Sequence, residues 1–333
     1  MSASPVQPAR DLLGLQGLSG DDVTALLDAA ADMKKRSKEG RVKLDDLAGR
    51  TACLLFFEPS TRTMNSFAAA ARALSADVVV FTAGSTSATA KGETLVDTAA
   101  NLEAIGADVF VLRHMSSGAP HLLAKWLREM RRDVPAPGVV NAGDGWHEHP
   151  TQALLDMMTL REHFDRLRGL KVAILGDILH SRVARSNVWG LTACGAHVTL
   201  VAPPAWIPEG YESLRATDDV AGTVSVSSDI NEVLGKSDAV MALRIQKERL
   251  GGEPGPSGGA FAAELGLTAE RVRSTGPKCV IMHPGPINRG VELASEVADS
   301  EQSIILKQVA NGVFVRMAML AMCARGAKAG KKA

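Results

Sequence analysis

The sequence predicts an α/β protein of two doubly wound parallel-sheet domains joined by interdomain helices, with the active site expected in the cleft between them. Three observations lead there. Short apolar runs rich in β-branched residues recur along the chain, helical patterns with one apolar face lie between them, and 333 residues exceed what one core ordinarily fills.

The runs TACLLFF (51–57), ADVVVFTA (76–83) and ADVFVLRH (107–114) fall in the first half. KVAILGD (171–177), HVTLVAPP (197–204), TVSVSSD (223–229), DAVMALRI (238–245) and KCVIMHPGP (278–286) follow in the second. Most are nearly continuous in apolar character, which suits strands covered on both faces. In all, about four strands are expected before residue 145 and about five after 170. Helices are expected where apolar residues return every three or four positions: Phe67, Ala70, Ala71 and Leu74 share one face, and Leu95, Ala99, Leu102 and Ile105 another. HPTQALLDMMTLREHF reads as the helix joining the domains, and SIILKQVANGVFVRMAMLAMCA as a long helix closing the chain. Two stretches break the pattern. GSTSATAKGE (84–93) is small and polar around a lone lysine, and KERLGGEPGPSGGAF (247–261) has the Gly and Pro content of a mobile loop. The tail ARGAKAGKKA reads as disordered.

Bulk charge excludes some functions. With 37 basic and 37 acidic side chains, nothing favours a nucleic-acid or membrane surface. The N-terminus lacks the basic and apolar regions of a signal peptide and no run of 18 apolar residues occurs, so a soluble, cytoplasmic protein is expected. Cys53, Cys194, Cys279 and Cys323 are far apart, form no CxxC pair and have no histidine at metal-ligand spacing, so reduced and mostly buried thiols are expected.

The stretch FFEPSTRT carries the first chemical signal. Phe56 and Phe57 end a strand, Pro59 stops it, and Ser60 suits a helix N-cap. The amides of Thr61, Arg62 and Thr63 would then face outward at the positive end of a helix dipole, which attracts anions. Hydroxyls at Ser60, Thr61 and Thr63 and the planar fork of Arg62 add donors suited to phosphate. An ordinary capped helix with a surface arginine reads the same.

Further candidates stand at the carboxyl ends of strands, where α/β proteins place ligands. Arg113 and His114 end ADVFVLRH, His149 starts the HPTQ helix, Arg182 and Arg185 follow the GD of KVAILGD, and Arg244 and Gln246 end DAVMALRIQ. Each arginine reads equally as a surface ion-pair partner, and His149 as a cap. Pro150 fits the first helical position, and Gln152, three residues after His149, can face the same point. KVAILGD lacks the GxGxxG of a dinucleotide site.

Together STRT, KGET, LRH, HPTQ, GDxxxSR, LRxQxER and HPGPINRG, in this order over roughly residues 10 to 325, resemble the aspartate and ornithine carbamoyltransferases. LRIQKER and MHPGPINRG resemble the aspartate branch, because ornithine enzymes typically have a cysteine-containing HCLP at the latter place. The resemblance implies transfer of a carbamoyl group from carbamoyl phosphate to L-aspartate in pyrimidine synthesis, with no metal or organic cofactor in catalysis. It implies a carbamoyl phosphate-binding domain over 1–149, completed by a C-terminal helix over 301–325, an aspartate-binding domain over 150–300, and a disordered tail over 326–333.

By motif, Ser60, Thr61, Arg62 and Thr63 match the phosphate cradle. Arg113 would contact both phosphate and the carbonyl oxygen, His149 that oxygen, and Gln152 the carbamoyl NH2. Arg182, Arg244 and Gln246 would hold the aspartate carboxylates, and Pro284, Gly285 and Pro286 the carbamoyl and α-amino region, with a cis bond before Pro286. Ser87 and Lys91 match residues that reach into the active site of an adjacent chain, which implies a homotrimer with shared sites. Family members also associate with zinc-bearing regulatory chains or dihydroorotase-like chains, and either is a candidate partner. The chemistry agrees: a dianionic donor and a dicarboxylate need several fixed cations, and no side-chain nucleophile is required.

One departure stands out. Where the family usually reads STRTR followed by SFE, Met64 and Ala68 occupy the spacing of an i, i+4 ion pair. On a solvated helix face, restoring the pair would change stability by only about 0.2–0.5 kcal/mol. Two alternatives stay open: a sister carbamoyltransferase with another amine acceptor, and a carbamoyltransferase-like assembly protein of low activity.

Overall fold

In a computed structural model describing residues 11–83, 92–130, 135–214, 222–245 and 258–328, the eight apolar runs become strands and Gly138–Asp144 adds a ninth, every one paired in parallel. The first half runs α1 (Gly20–Arg36), β1 (Thr51–Phe56), α2 (Thr61–Ala73), β2 (Asp77–Thr82), α3 (Leu95–Ala104), β3 (Ala107–His114), α4 (Ala119–Met130), β4 (Gly138–Asp144) and α5 (Pro150–Phe164). Then follow β5 (Lys171–Leu175), α6 (Arg182–Ala193), β6 (His197–Val201), β7 (Val224–Ser227), α7 (Ile230–Leu234), β8 (Ala239–Ala242), α8 (Gly258–Leu265), α9 (Ala269–Arg273), β9 (Val280–Met282), α10 (Ser295–Ala298) and α11 (Ile305–Lys328).

The chain divides into two units. One holds Ala25–Thr151 with the segment ending at Leu15 and the segment beginning at Gly312; the other holds Gln16–Thr24 and Gln152–Asn311. The chain therefore passes between units after Leu15, inside α1 after Thr24, inside α5 after Thr151 and inside α11 after Asn311.

In the first unit the strand order is β2-β1-β3-β4. Leu55, Phe110, Leu112, Leu123, Leu127 and Val139 pack into one buried cluster. The two edges differ. β4 is buried at every position because Leu12 extends the sheet beside it, donating to Val139 O at 2.9 Å and accepting from Asn141 N at 2.8 Å. β2 is the open edge and is partly exposed throughout, with Val80 48% exposed, so it departs from the expectation of strands covered on both faces.

In the second unit the order is β7-β6-β5-β8-β9. Leu175, Ile230, Leu234, Val240, Phe261 and Ile281 form its core with their neighbours. Side-chain caps mark several helix starts: Ser181 accepts from Ala184 N at 3.1 Å, and Asp229 from Asn231 N at 2.9 Å.

Several sequence expectations are corrected. The loop expected over 247–261 ends in helix: α8 starts at Gly258 because Phe261 and Leu265, each 2% exposed, give that segment an apolar anchor. Residues 246–257 and 84–91 lie outside the described residues. Ile105, expected on the buried face of α3, follows the helix end and is 71% exposed. α11 continues to Lys328, into the segment expected as a disordered tail; 329–333 lie outside the described residues. Its stretch Ile305–Ala324 is long and apolar enough to cross a membrane by length and composition, and 67% of it is buried as a core helix.

Met64 is half-buried, and position 68 is not on a solvated face either. Ala68 is 7% exposed and belongs to the core side of α2 with Phe67, Ala70 and Ala71. Arg316 of α11 reaches the same helix, donating to Ser66 Oγ at 2.8 Å with its guanidinium 5.1 Å from the Phe67 ring centroid. Ala68→Glu by itself should therefore cost at least ~1–3 kcal/mol, the penalty of burying a polar group. Denaturant unfolding checks this; a change no larger than a few tenths would place residue 68 on the surface.

The thiols are free; Cys53, Cys279 and Cys323 are buried and Cys194 is partly exposed. Burial pushes the Cys53 and Cys279 thiols up to about 11, with Asp108 adding to the rise at Cys53 and Thr275 opposing it at Cys279. Burial also raises Cys194 and Cys323. At pH 8 a group at that value is roughly one part in a thousand thiolate. Cys53, Cys279 and Cys323 should therefore resist a disulfide reagent in the native state and all react on denaturation, which a thiol count in buffer and in guanidinium would check.

Candidate active site

β1 ends at Phe56, and Pro59 turns the chain so that α2 begins at Thr61. Ser60 occupies the N-cap position in extended conformation, yet its side chain makes no capping hydrogen bond, contrary to the expectation for a good cap. Its hydroxyl is therefore not committed to the helix. Thr61 and Arg62 are exposed and Thr63 is 8% exposed, so the first turn presents both amides and side chains.

β3 brings Arg113 to the same edge, since Phe56 pairs with Arg113 and Phe57 N donates to Arg113 O at 2.8 Å. The Arg113 guanidinium donates to Glu58 Oε1 at 2.5 Å and to Ala142 O at 3.2 Å. Glu58 lies within FFEPST, where nothing in the sequence marks this role; its position beside Arg113 follows from strand register, which sequence does not display. His114, the next residue, is held below the ordinary histidine range by burial, which outweighs the nearby Glu58 and Asp144 charges.

β4 supplies the third strand end. His114 pairs with Asp144, and a turn then leads to His149, 5% exposed, immediately before α5. Asp144 is fully buried and anchors this turn by accepting from Gly118 N at 2.7 Å, Asn141 Nδ2 at 2.8 Å and Glu148 N at 3.2 Å. Burial opposes its ionisation, but the bonds from His147, Asn141 and Gly118 outweigh that and hold its carboxyl below the usual range. The first unit thus gathers Ser60, Thr61, Arg62, Thr63, Arg113 and His149 at the carboxyl ends of β1, β3 and β4.

The second unit makes a corresponding set. Leu175 of β5 pairs with Ala242 of β8, and Met241 of β8 with Met282 of β9. Arg182 is the first residue of α6 and 3% exposed; Arg244 follows β8 and is half-buried, donating to Ile245 O at 3.1 Å. Gly176 allows the close approach of the β5 and β8 ends: it has φ +119°, and a Cβ there would meet Leu243 O at 2.5 Å. Pro284, Gly285 and Pro286 follow β9, and the Gly285–Pro286 peptide bond is cis. Arg185 does not join the group by hydrogen bonding; its Nε donates to Tyr211 Oη at 3.1 Å.

A buried polar network joins Gln152 to the proline loop within this unit. Asp156, fully buried, accepts from Gln152 Nε2 at 2.9 Å, Gln308 Nε2 at 2.8 Å and Asn187 Nδ2 at 2.9 Å. Gln308 Oε1 in turn accepts from His283 N at 3.0 Å. His283 Nδ1 accepts from Gly285 N at 2.7 Å, so its other nitrogen carries the proton directed to Glu292 Oε1 at 3.1 Å. Asp156, His283, Glu292 and Gln308 carry no sequence signal of this role except Asp156, which lies one helical turn beyond Gln152. Ser87, Lys91 and Gln246, expected in the site, lie outside the described residues.

Comparison with known proteins follows this geometry. Residues 10–162 match the family described as aspartate/ornithine carbamoyltransferase, carbamoyl-P binding domain, and 168–323 match its Asp/Orn binding domain. The chain is 50% identical over 311 residues to the aspartate carbamoyltransferase catalytic subunit of Acidothermus cellulolyticus, covering 93% of this chain and 91% of that one. It is 48% identical over 319 residues to the protein of that name from Desulforapulum autotrophicum, covering 96% and 97%. Among solved structures, aspartate transcarbamoylase from Trypanosoma cruzi in complex with carbamoyl aspartate and phosphate superposes with a TM-score of 0.81 at 31% identity, covering 95% of this chain and 96% of that one. The same enzyme in complex with N-(phosphonacetyl)-L-aspartic acid gives 0.78 at 30% identity, covering 96% and 97%. The chain belongs to the aspartate/ornithine carbamoyltransferase family.

Proposed function

We propose that the chain transfers the carbamoyl group of carbamoyl phosphate to the amino group of L-aspartate, giving N-carbamoyl-L-aspartate and phosphate in de novo pyrimidine (UMP) biosynthesis. The observation that carries this reading is the start of α2, where the first-turn amides and the Ser60–Thr63 side chains stand at the same sheet edge as Arg113 and His149. A dianionic phosphate is stabilised there by the helix N-terminus and by Arg62. Arg113, His149 and Thr63 stabilise the charge that grows on the carbonyl oxygen as the amine attacks. Gln152, held by Asp156, takes the carbamoyl NH2, while Arg182, Arg244 and Gln246 receive the carboxylates and the Pro284–Pro286 loop borders the amine. The amine loses a proton and the C–O bond to phosphate breaks; the departing phosphate is itself the base, so substrate alignment supplies much of the rate.

The test is carbamoyl-aspartate formation by purified chain with a panel of amines. Arg62→Ala should lower kcat/KM by about 10²–10³-fold, the range seen for loss of one transition-state donor. Arg244→Ala should raise KM for aspartate by roughly 10- to 150-fold, the loss of one charge-assisted bond, with little change for carbamoyl phosphate. Faster carbamoylation of another amine would overturn the acceptor, and inactivity with every amine would favour an assembly role.

The chain acts in the cytoplasm as a homotrimer, and Ser87 and Lys91 complete the site of a neighbouring subunit. Support comes from the matching residues in GSTSATAKGE. Head-to-tail contacts of this kind close into a ring. Inactive Lys91→Ala and Arg62→Ala chains, mixed and allowed to exchange, should regain partial activity. No recovery in trimers shown to be mixed would overturn the shared site.

A further inference from the structure

The turn from β4 into α5 carries a group that the proposed reaction does not use. His147 lies on it with 23% of its side chain exposed, its Nδ1 3.1 Å from Oδ2 and 3.3 Å from Oδ1 of the buried Asp144. Facing it from the first turn of α4, the exposed His121 sets its ring edge-on to His147, with centroids 5.3 Å apart. One ligand atom from each of His121, Asp144 and His147 lies within 4.8 Å of the other two. We propose that these three side chains bind a divalent transition-metal ion of the zinc, cobalt and nickel class.

The chemistry of the donors favours this class. Two imidazoles and one carboxylate suit such ions, and a three-ligand set leaves a position for water. A tetrahedral ion with bonds of about 2.0–2.2 Å holds its ligand atoms roughly 3.4 Å apart, so the cluster must close by up to about 1.4 Å. The exposed His121 side chain provides that movement by changing rotamer.

The backbone beneath is already fixed. Gly118 N donates to Asp144 Oδ2 at 2.7 Å, Trp146 N to Ser117 Oγ at 3.2 Å, and Gly145 N to His114 O at 3.0 Å. Gly145 has φ +47°, and a Cβ there would meet Ser117 N at 2.6 Å, so only glycine lets the turn sit this close to the start of α4. Asp144 keeps its backbone donors on binding: the ion takes the place of the bond to His147, and any imidazole proton displaced leaves to solvent. None of the three side chains is assigned to substrate, although Asp144 and His147 share the turn that leads to His149, so occupancy is read by binding rather than by turnover.

The test is titration of metal-free full-length chain with Co2+, followed by visible absorption and thermal melting. One Co2+ per chain, displaced by Zn2+ and raising Tm, is expected. His121→Ala and His147→Ala should each weaken binding roughly tenfold or more while leaving the metal-free Tm and circular dichroism unchanged for His121→Ala. If His147→Ala does not fold, His121→Ala alone decides, because that residue is exposed. Binding untouched by His121→Ala, absence of stoichiometric binding, or thiolate-to-metal absorption showing a cysteine site would each overturn the proposal.

Discussion

The hydrogen bond from Phe57 N to Arg113 O, 2.8 Å long, carries the pairing of β1 with β3 past the end of the strand, and the first unit's chemistry depends on it. Parallel pairing makes all strands end on one side, so whatever follows them in sequence converges without further contrivance. Here that puts Glu58, the start of α2 and Arg113 side by side. A guanidinium beside the positive end of a helix would repel it. Glu58 at 2.5 Å and Ala142 O at 3.2 Å hold Arg113 at that edge instead, so its position does not wait for an anion.

The second unit meets the same demand with buried polar groups rather than a partly exposed ion pair. A fully buried carboxylate such as Asp156 is costly unless it is well hydrogen-bonded, and amide donors from Gln152, Gln308 and Asn187 meet that need. These bonds fix Gln152 on α5 and Gln308 on α11 at once. Through His283, whose tautomer is set by Gly285 N and Glu292, the same network reaches the proline loop. Side chains with no contact to substrate thus determine where the contacting ones stand.

Edges and helix faces show where context overrides pattern. β4 is an edge strand by order, yet it is buried, because Leu12 continues its ladder; β2, with a similar apolar run, stays open. Met64 and Ala68 occupy family positions for an ion pair, but Ala68 faces the core of α2 and a cation, Arg316, comes instead from α11 over Phe67. Burial at 68 favours the small apolar residue present there, since a lone carboxylate would lose its hydration.

Much of this was legible in the sequence. Near-continuous apolar runs separated by helical periodicity specify two parallel α/β sheets, because most such strands are covered on both faces, and strand ends carrying STRT, LRH, HPTQ and HPGP mark where polar groups collect. β4 carries a weaker signal, because GVVNAGD is short and interrupted by polar residues; its burial comes from neighbours. Ser60 was readable as an N-cap, but not that its hydroxyl would leave the cap unmade. The Glu58–Arg113 pair, the Asp156–Gln308 link across 152 residues and the meeting of His121 with His147 were decided only in three dimensions. Sequence periodicity records which face of an element is apolar, whereas register and the packing of distant helices determine which polar side chains come within hydrogen-bonding distance.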